Sequence, residues 1–188
     1  MWSACILDFV FMTRYVADEP YAYFCTIRIL NWIPVFIDER YILPIIESLT
    51  FTRQNKGMQL FGYVVMPNHL HMIAASESLH ANIRNFKRFT SNRIHQLLLA
   101  DHRVTYLDWL RRAAQNAARS RGAFSFWSPG FHPQVIRRRS VFEQKLRYLH
   151  ENPMREGLVA TPEAWRFSSA GFHAGEADRL LRMDLWDG

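Results

Sequence analysis

A chain of 188 residues, 49% of them hydrophobic, has the length of one domain and the apolar content of a packed core, which excludes an intrinsically disordered polypeptide. Its two cysteines, Cys5 and Cys25, are too few and too isolated for a disulfide framework or a thiolate zinc site, and they fit a reducing, cytoplasmic setting. The net charge of +6 is unevenly placed: residues 81–155 hold 15 Lys or Arg against 4 Asp or Glu, the remainder 8 against 13, so one part of the chain is built to meet a polyanion.

In chain order, residues 5–12 are apolar but short, interrupted by Asp8 and without a basic lead-in, so they read as a strand or packed arm rather than a membrane segment or signal. Residues 21–30, rich in β-branched and aromatic side chains, predict a strand. Asp38 is placed to cap a helix with apolar residues Ile42, Ile45, Ile46 and Leu49 at helical spacing; Pro44 should delay its regular part, and Gly57 lies beyond its end. Residues 59–66 and 69–74 predict two strands paired as a hairpin across the turn Pro67-Asn68. Leu79, Ile83, Phe86, Ile94 and Leu97 mark the buried stripe of a second long helix, whose other face displays Arg84, Lys87, Arg88 and Arg93.

Residues 104–121 predict an arginine-rich and alanine-rich helix, an insertion or an arm. Residues 124–127 and 134–136 are short strand candidates around Ser128-Pro129-Gly130. Ser140 and Glu143 have capping-box spacing, which predicts a last helix from Val141. Its core stripe is Phe142, Leu146 and Leu149, with Val141, Lys145, Tyr148 and Asn152 on the neighbouring stripe. Pro153 should end it near Asn152, with Gly157 beyond. With no repeat and no long linker, residues 1–188 read as one domain: a core over about 21–170, an arm before it and a tail over 171–188.

The positive residues are nearly all arginine, whose planar fork suits phosphate oxygens. Arg84, Lys87, Arg88, Arg111, Arg112, Arg137, Arg138, Arg139 and Lys145 are candidate nucleic-acid contacts, as is the pair Arg119 and Arg121. Interleaved aromatics such as Phe89, Trp109 and Phe131 suit stacking on unpaired bases. Two smaller patterns carry chemistry. In His69-Leu70-His71 on a strand, both imidazoles leave one face and Leu70 the other, as a transition-metal or Mn²⁺ site requires. Tyr148 and Asn152, four apart on a helix, share a face, so one cation can activate the phenol while the Asn152 amide oxygen supplies a third ligand. Each pattern alone also suits ordinary packing: hydrogen-bonded histidines and a half-buried tyrosine. His150 is about 200° around the helix from Tyr148 and cannot easily join the same metal.

The run from Tyr63 through Met66-Pro67-Asn68-His69-Leu70-His71 resembles the signature of HUH endonucleases, two histidines around a hydrophobic residue. Tyr148-Leu149-His150-Glu151-Asn152-Pro153-Met154-Arg155 resembles the tyrosine helix of REP-associated tyrosine transposases, single-tyrosine members of that group. Further similarity lies in Phe86-Lys87-Arg88-Phe89-Thr90-Ser91, in Trp127-Ser128-Pro129-Gly130-Phe131-His132-Pro133 and in Trp165-Arg166-Phe167-Ser168-Ser169-Ala170. The resemblance implies an α+β fold of HUH endonuclease type: a ferredoxin-like core with a largely antiparallel sheet, helices on one face, the histidines on a central strand and the tyrosine helix lying across them. It implies cleavage and rejoining of single-stranded DNA near imperfect palindromic hairpins through a 5′-phosphotyrosine. Tyr148 would be the nucleophile, and His69, His71 and Asn152 the ligands of Mg²⁺ or Mn²⁺, with no nucleotide cofactor. Residues 1–19 have no counterpart in the pattern, and Glu151 places an acid near the DNA path. Two rivals remain at this stage: a hairpin-binding protein that no longer cuts, and a metallohydrolase of small phosphoesters. The spread arginines argue against the second. Oligomeric state stays open between monomer and homodimer.

Overall fold

The computed structural model describes residues 21–116, 125–176 and 180–187. The expected arm over residues 1–20, the pair Arg119 and Arg121, and Phe124 lie outside the described residues. The first strand, β1 (Ala22–Arg28), leads to α1 (Glu39–Asn55), which Asp38 caps by accepting the Arg40 amide at 2.9 Å. Pro44 does not delay this helix. It forgoes only its own amide bond, and its ring is buried. Next come β2 (Gln59–Met66) and β3 (His69–Ala75), then α2 (Leu79–Ala100), α3 (Val104–Asn116), β4 (Gln134–Ile136), α4 (Arg139–Arg155) and the short α5 (Ala170–His173).

The strands form one antiparallel sheet in the order β2-β3-β1-β4, so β3 and β1 are central. The connections through α1 and α2 give the ferredoxin-like arrangement that was expected. Alternation along the strands divides the apolar residues between two cores. On one face Cys25, Ile27, Leu70 and Met72 meet α1 and α2. On the other, Phe24, Val64 and Ile73 meet Phe142 and Leu149 of α4, with Leu146 half-buried against them. Thus α1 and α2 share one face and α4 crosses the opposite one, the face on which both histidines emerge.

Four local expectations need correction. Residues 125–127 form no strand, since only an isolated bridge joins Trp127 to Ile29. In the last turn of α2 the fully buried residue is Leu98, with Leu97 half-buried beside it, and Thr90 occupies a buried position by donating to the Phe86 carbonyl. The helix α4 starts at Arg139, two residues before the capping box would have it. The Arg138 carbonyl, on extended backbone, already accepts the Val141 and Phe142 amides, and Glu143 takes Arg139 Nε at 3.1 Å instead of reaching back to Ser140. Nor does Pro153 end the helix at Asn152: it is buried within the last turn, and Gly157, at φ 70, closes the end.

Beyond residue 170 the chain still builds core. Leu181 and Met183 are buried, Trp186 stacks on Phe142 at 4.4 Å, and the Asp184 carboxylate accepts the Leu60 amide and Arg53 Nε and Nη2. Among the described residues no helix is long and apolar enough to cross a membrane.

Gly62 in β2 leaves the space into which Leu146 of α4 packs. A Cβ there would lie 2.6 Å from Leu146 Cδ1 and 3.4 Å from Ser169 Oγ. A Gly62→Val substitution is therefore expected to push the Leu146 side chain aside and to cost about 1–3 kcal/mol by overpacking, read as a lower urea midpoint with an unchanged slope.

Candidate active site

Register places the histidines. In the ladder His71 lies between Thr26 of β1 and Val64 of β2, and His69 lies between Arg28 and Met66. The two imidazoles meet edge to face with centroids 4.6 Å apart, and each is only 6% exposed. Both have the Nδ1 atom engaged. His69 Nδ1–H donates to Asn68 Oδ1 at 2.6 Å, and His71 Nδ1 shares a hydrogen bond with Thr26 Oγ1 at 2.9 Å. With Nδ1–H as the donor, Nε2 of each ring keeps its lone pair for a ligand, the arrangement by which hydrogen bonding behind a histidine fixes the metal-binding tautomer. Burial, with the Arg28 charge behind it, lowers the His69 pKa to about 4. Burial followed by His69 and Lys145 lowers that of His71 to about 3. Both rings are therefore neutral at pH 7, as ligands must be.

The helix α4 brings Tyr148 to this pair. Its ring lies edge-on to His71 at 5.7 Å and to Phe24 at 6.0 Å, and Phe24 in turn stacks on His71 at 5.2 Å. Tyr148 is 39% exposed, and its hydroxyl has no hydrogen-bond partner among the described residues. Arg155 sits 5.6 Å over its ring and pairs with Glu151 at 2.6 Å, which neutralises the one acid that the sequence placed near the DNA path. Lys145 Nζ lies 4.8 Å over the Phe24 ring, beside the histidines. Asn152, one turn beyond Tyr148, is buried, and its side-chain amide has no hydrogen-bond partner among the described residues. A buried amide without a partner is costly unless something polar meets it, and a cation would do so.

Two neutral imidazoles with free Nε2 atoms have the donor chemistry of divalent-metal ligands, and Asn152 adds a buried amide one turn along α4 from the tyrosine that meets His71. Among the described residues there is no cluster of three or more His, Cys, Asp or Glu that would make a more conventional metal site. His150 turns away as expected: its Nε2 meets Ser169 Oγ at 2.8 Å and its ring faces His173 at 5.2 Å.

The basic residues divide. Arg137, Arg138, Arg139 and Lys145 lie at or near the start of α4. Arg84 and Arg88 are exposed on α2, and Arg111 and Arg112 on α3, among the helices of the other face. Arg111 pairs with Asp108 and Arg139 with Glu143, while Arg137 lies over the Tyr21 ring. Lys87 is not part of a free basic face: its Nζ donates to the carbonyls of Ser128 and Gly130, and burial followed by Arg28 lowers its pKa to about 8. It ties the Ser128-Pro129-Gly130 turn to α2. Sequence reasoning missed Thr26, Arg28, Trp32 and Asn68 beside the histidines. The alternation of Thr26 and Arg28 with Cys25 and Ile27 was the available sign that β1 presents a polar end on this face.

Neither a protein-family model nor a curated protein matches the sequence. Among solved structures, the chain is similar to a REP-associated tyrosine transposase bound to a REP hairpin, at a TM-score of 0.59 and 17% identity over 90% of each chain. It also aligns with a transposase candidate of Deinococcus radiodurans R1, at a TM-score of 0.43 and 16% identity over 68% of this chain and 89% of the other. The sheet that carries His69 and His71 and the helix that carries Tyr148 thus lie in an α+β fold shared with a REP-associated tyrosine transposase, the family that the two motifs resemble.

Proposed function

We propose that this protein cleaves and rejoins single-stranded DNA beside hairpins, with Tyr148 as nucleophile and His69, His71 and Asn152 as the ligands of Mg²⁺ or Mn²⁺. The observation that carries the reading is the seating of an exposed tyrosine with an unpaired hydroxyl against one of two neutral histidines. Exposure alone would also suit a tyrosine that packs on the sheet; it is the ring's contact with His71 that supports a nucleophile beside the imidazole pair. The chemistry is an exchange of phosphoesters. Tyr148 Oη attacks the phosphorus and forms a 5′-phosphotyrosine, the P–O3′ bond breaks, and the phenol proton passes to solvent while the released strand end becomes a 3′-hydroxyl. A bound divalent cation would favour the phenolate and neutralise charge on the phosphate. Lys145 adds positive charge beside the reacting groups, and the arginines of residues 137–139 offer phosphate contacts at the start of α4. Because the phosphotyrosine keeps the energy of the broken ester, a 3′-hydroxyl can reverse the step.

The test is a labelled hairpin deoxyoligonucleotide with single-stranded flanks, enriched on the protein from a randomised pool and incubated with Mn²⁺. A DNA-linked protein band on a denaturing gel is expected. Tight binding with no such band would identify a hairpin-binding protein without cleavage. The ligand set has its own prediction. The His69→Ala/His71→Ala pair should abolish the calorimetric signal of Mn²⁺ binding, and Asn68→Ala, which frees His69 Nδ1, should weaken it about 10-fold or more. Unchanged Mn²⁺ affinity in the double variant would place the metal elsewhere.

A further inference from the structure

Past Arg28 the chain enters a 3-10 turn, Leu30–Trp32, in which Asn31 and Trp32 both adopt left-handed backbone, with φ of 52 and 58. A bulky aromatic residue rarely adopts that conformation, and such strain persists only where surrounding structure holds it. The holding bonds are present. Ile29 N–H donates to the Asn68 carbonyl at 2.9 Å, Leu30 N–H to the Phe126 carbonyl at 2.8 Å and Phe36 N–H to the Pro67 carbonyl at 2.9 Å. The same β2–β3 turn therefore fixes both His69, through Asn68, and the strained loop. Its result is an indole that is 49% exposed and contributes nothing to the core, edge-on to His69 at 5.7 Å. Arg28 lies over that indole at 5.0 Å, its side chain exposed and without an ion pair among the described residues. A strained loop that keeps an aromatic ring wet, capped by an unpaired guanidinium and one ring away from a phosphate-cutting site, has the two parts of a nucleotide subsite. The ring offers a face to a base, and the fork offers its donors to a phosphate.

We infer that Trp32 and Arg28 form a stacking platform for one unpaired nucleobase next to the scissile phosphate, with Arg28 on that nucleotide's own phosphate. The inference rests on the strand-cleavage reading above and adds to it the residues that hold the flanking single strand. Trp32 is a positioning residue: it locates the strand, and Tyr148 does the chemistry. Shielding of the indole by Arg28 alone would explain the stack but not the left-handed turn, because a polar residue on relaxed backbone at position 32 would leave nothing to shield.

The experiment uses the enriched hairpin deoxyoligonucleotide, labelled with fluorescein, on the full chain carrying Tyr148→Phe so that the strand is not cut. Abasic spacers replace the flanking nucleotides one at a time. Trp32→Ala is expected to weaken binding about 5- to 150-fold, and Trp32→Phe to stay within about threefold of its parent. One abasic position should weaken binding to the parent and cost little further in Trp32→Ala, since base and ring form a coupled pair. Arg28→Gln should reduce the slope of log affinity against log salt by about one phosphate contact, and it provides an independent readout should Trp32→Ala fold poorly. Unchanged affinity in Trp32→Ala, or abasic penalties identical in Trp32→Ala and its parent, would overturn the platform even if the covalent adduct forms. The opposite result, coupling at one position with no adduct in the wild-type chain, would keep the platform and reject the cleavage reading.

Discussion

Tyr148→Phe is expected to abolish the covalent protein–DNA adduct and strand cleavage while leaving affinity for uncut hairpin DNA within about threefold. The substitution removes one oxygen and keeps the ring that meets His71 and Phe24 edge-on. Since the hydroxyl has no partner among the described residues, no hydrogen bond is lost and no buried group is orphaned, so the urea midpoint should hardly move. A tyrosine that merely packs predicts otherwise: the adduct, if any, would persist. Asn152→Ala should behave differently again. It removes a buried amide from the ligand set, so it should weaken Mn²⁺ binding and slow cleavage, with partial recovery at high Mn²⁺, because the two imidazoles remain. A Tyr148→Phe chain that still forms an adduct in Mn²⁺ would show that another residue is the nucleophile, and one that no longer binds DNA would show a structural role.

What was legible in the sequence followed from periodicity. The apolar run over residues 59–66, the Pro67-Asn68 turn and the His-x-His spacing were enough to set both imidazoles on one face of a strand. The i, i+4 relation was enough to set Tyr148 and Asn152 on one stripe of α4, because a helix face does not depend on where the helix begins. The ends of α4 were misread because local signals lost to their surroundings. The Ser140 capping box gave way to the Arg138 carbonyl, and Pro153 was tolerated in the last turn because its ring is buried against the fold. Charge was misread in a different way. Lys87 counts as a cation in the sequence, yet two carbonyls take its ammonium. Trp32 carried no sequence signal, since a left-handed residue in a short 3-10 turn belongs to no apolar period, and only the fold shows that it faces His69.

The second large effect is expected from acid. In the absence of added metal, with chelator present, the folded chain should lose much of its stability between pH 7 and pH 5. Two buried histidines and the half-buried His150 are responsible. His69 is lowered to about 4 by burial and Arg28, His71 to about 3 by burial, His69 and Lys145, and His150 to about 3 by burial and His173. In the unfolded chain each titrates near its ordinary value of about 6.5. The unfolded state therefore binds more protons than the folded state everywhere between about pH 6.5 and pH 4, and stability rises with pH across that window and falls as pH is lowered through it. Each histidine should cost about 1–2 kcal/mol between pH 7 and pH 5, so the three together are comparable to the lower range of a domain's whole stability. Urea midpoints at the two pH values measure the loss directly. His150→Gln keeps a polar partner for Ser169 Oγ and removes one titrating group, so it should flatten the dependence by about a third. His69→Asn/His71→Asn should remove most of the rest, even though it destroys the proposed metal site. A midpoint that is the same at pH 5 and pH 7 in the wild-type chain would mean that these rings accept protons without unfolding and that water reaches them. Such water access would contradict the near-complete burial of His69 and His71, and with it the neutral, ligand-ready state on which the proposed chemistry depends.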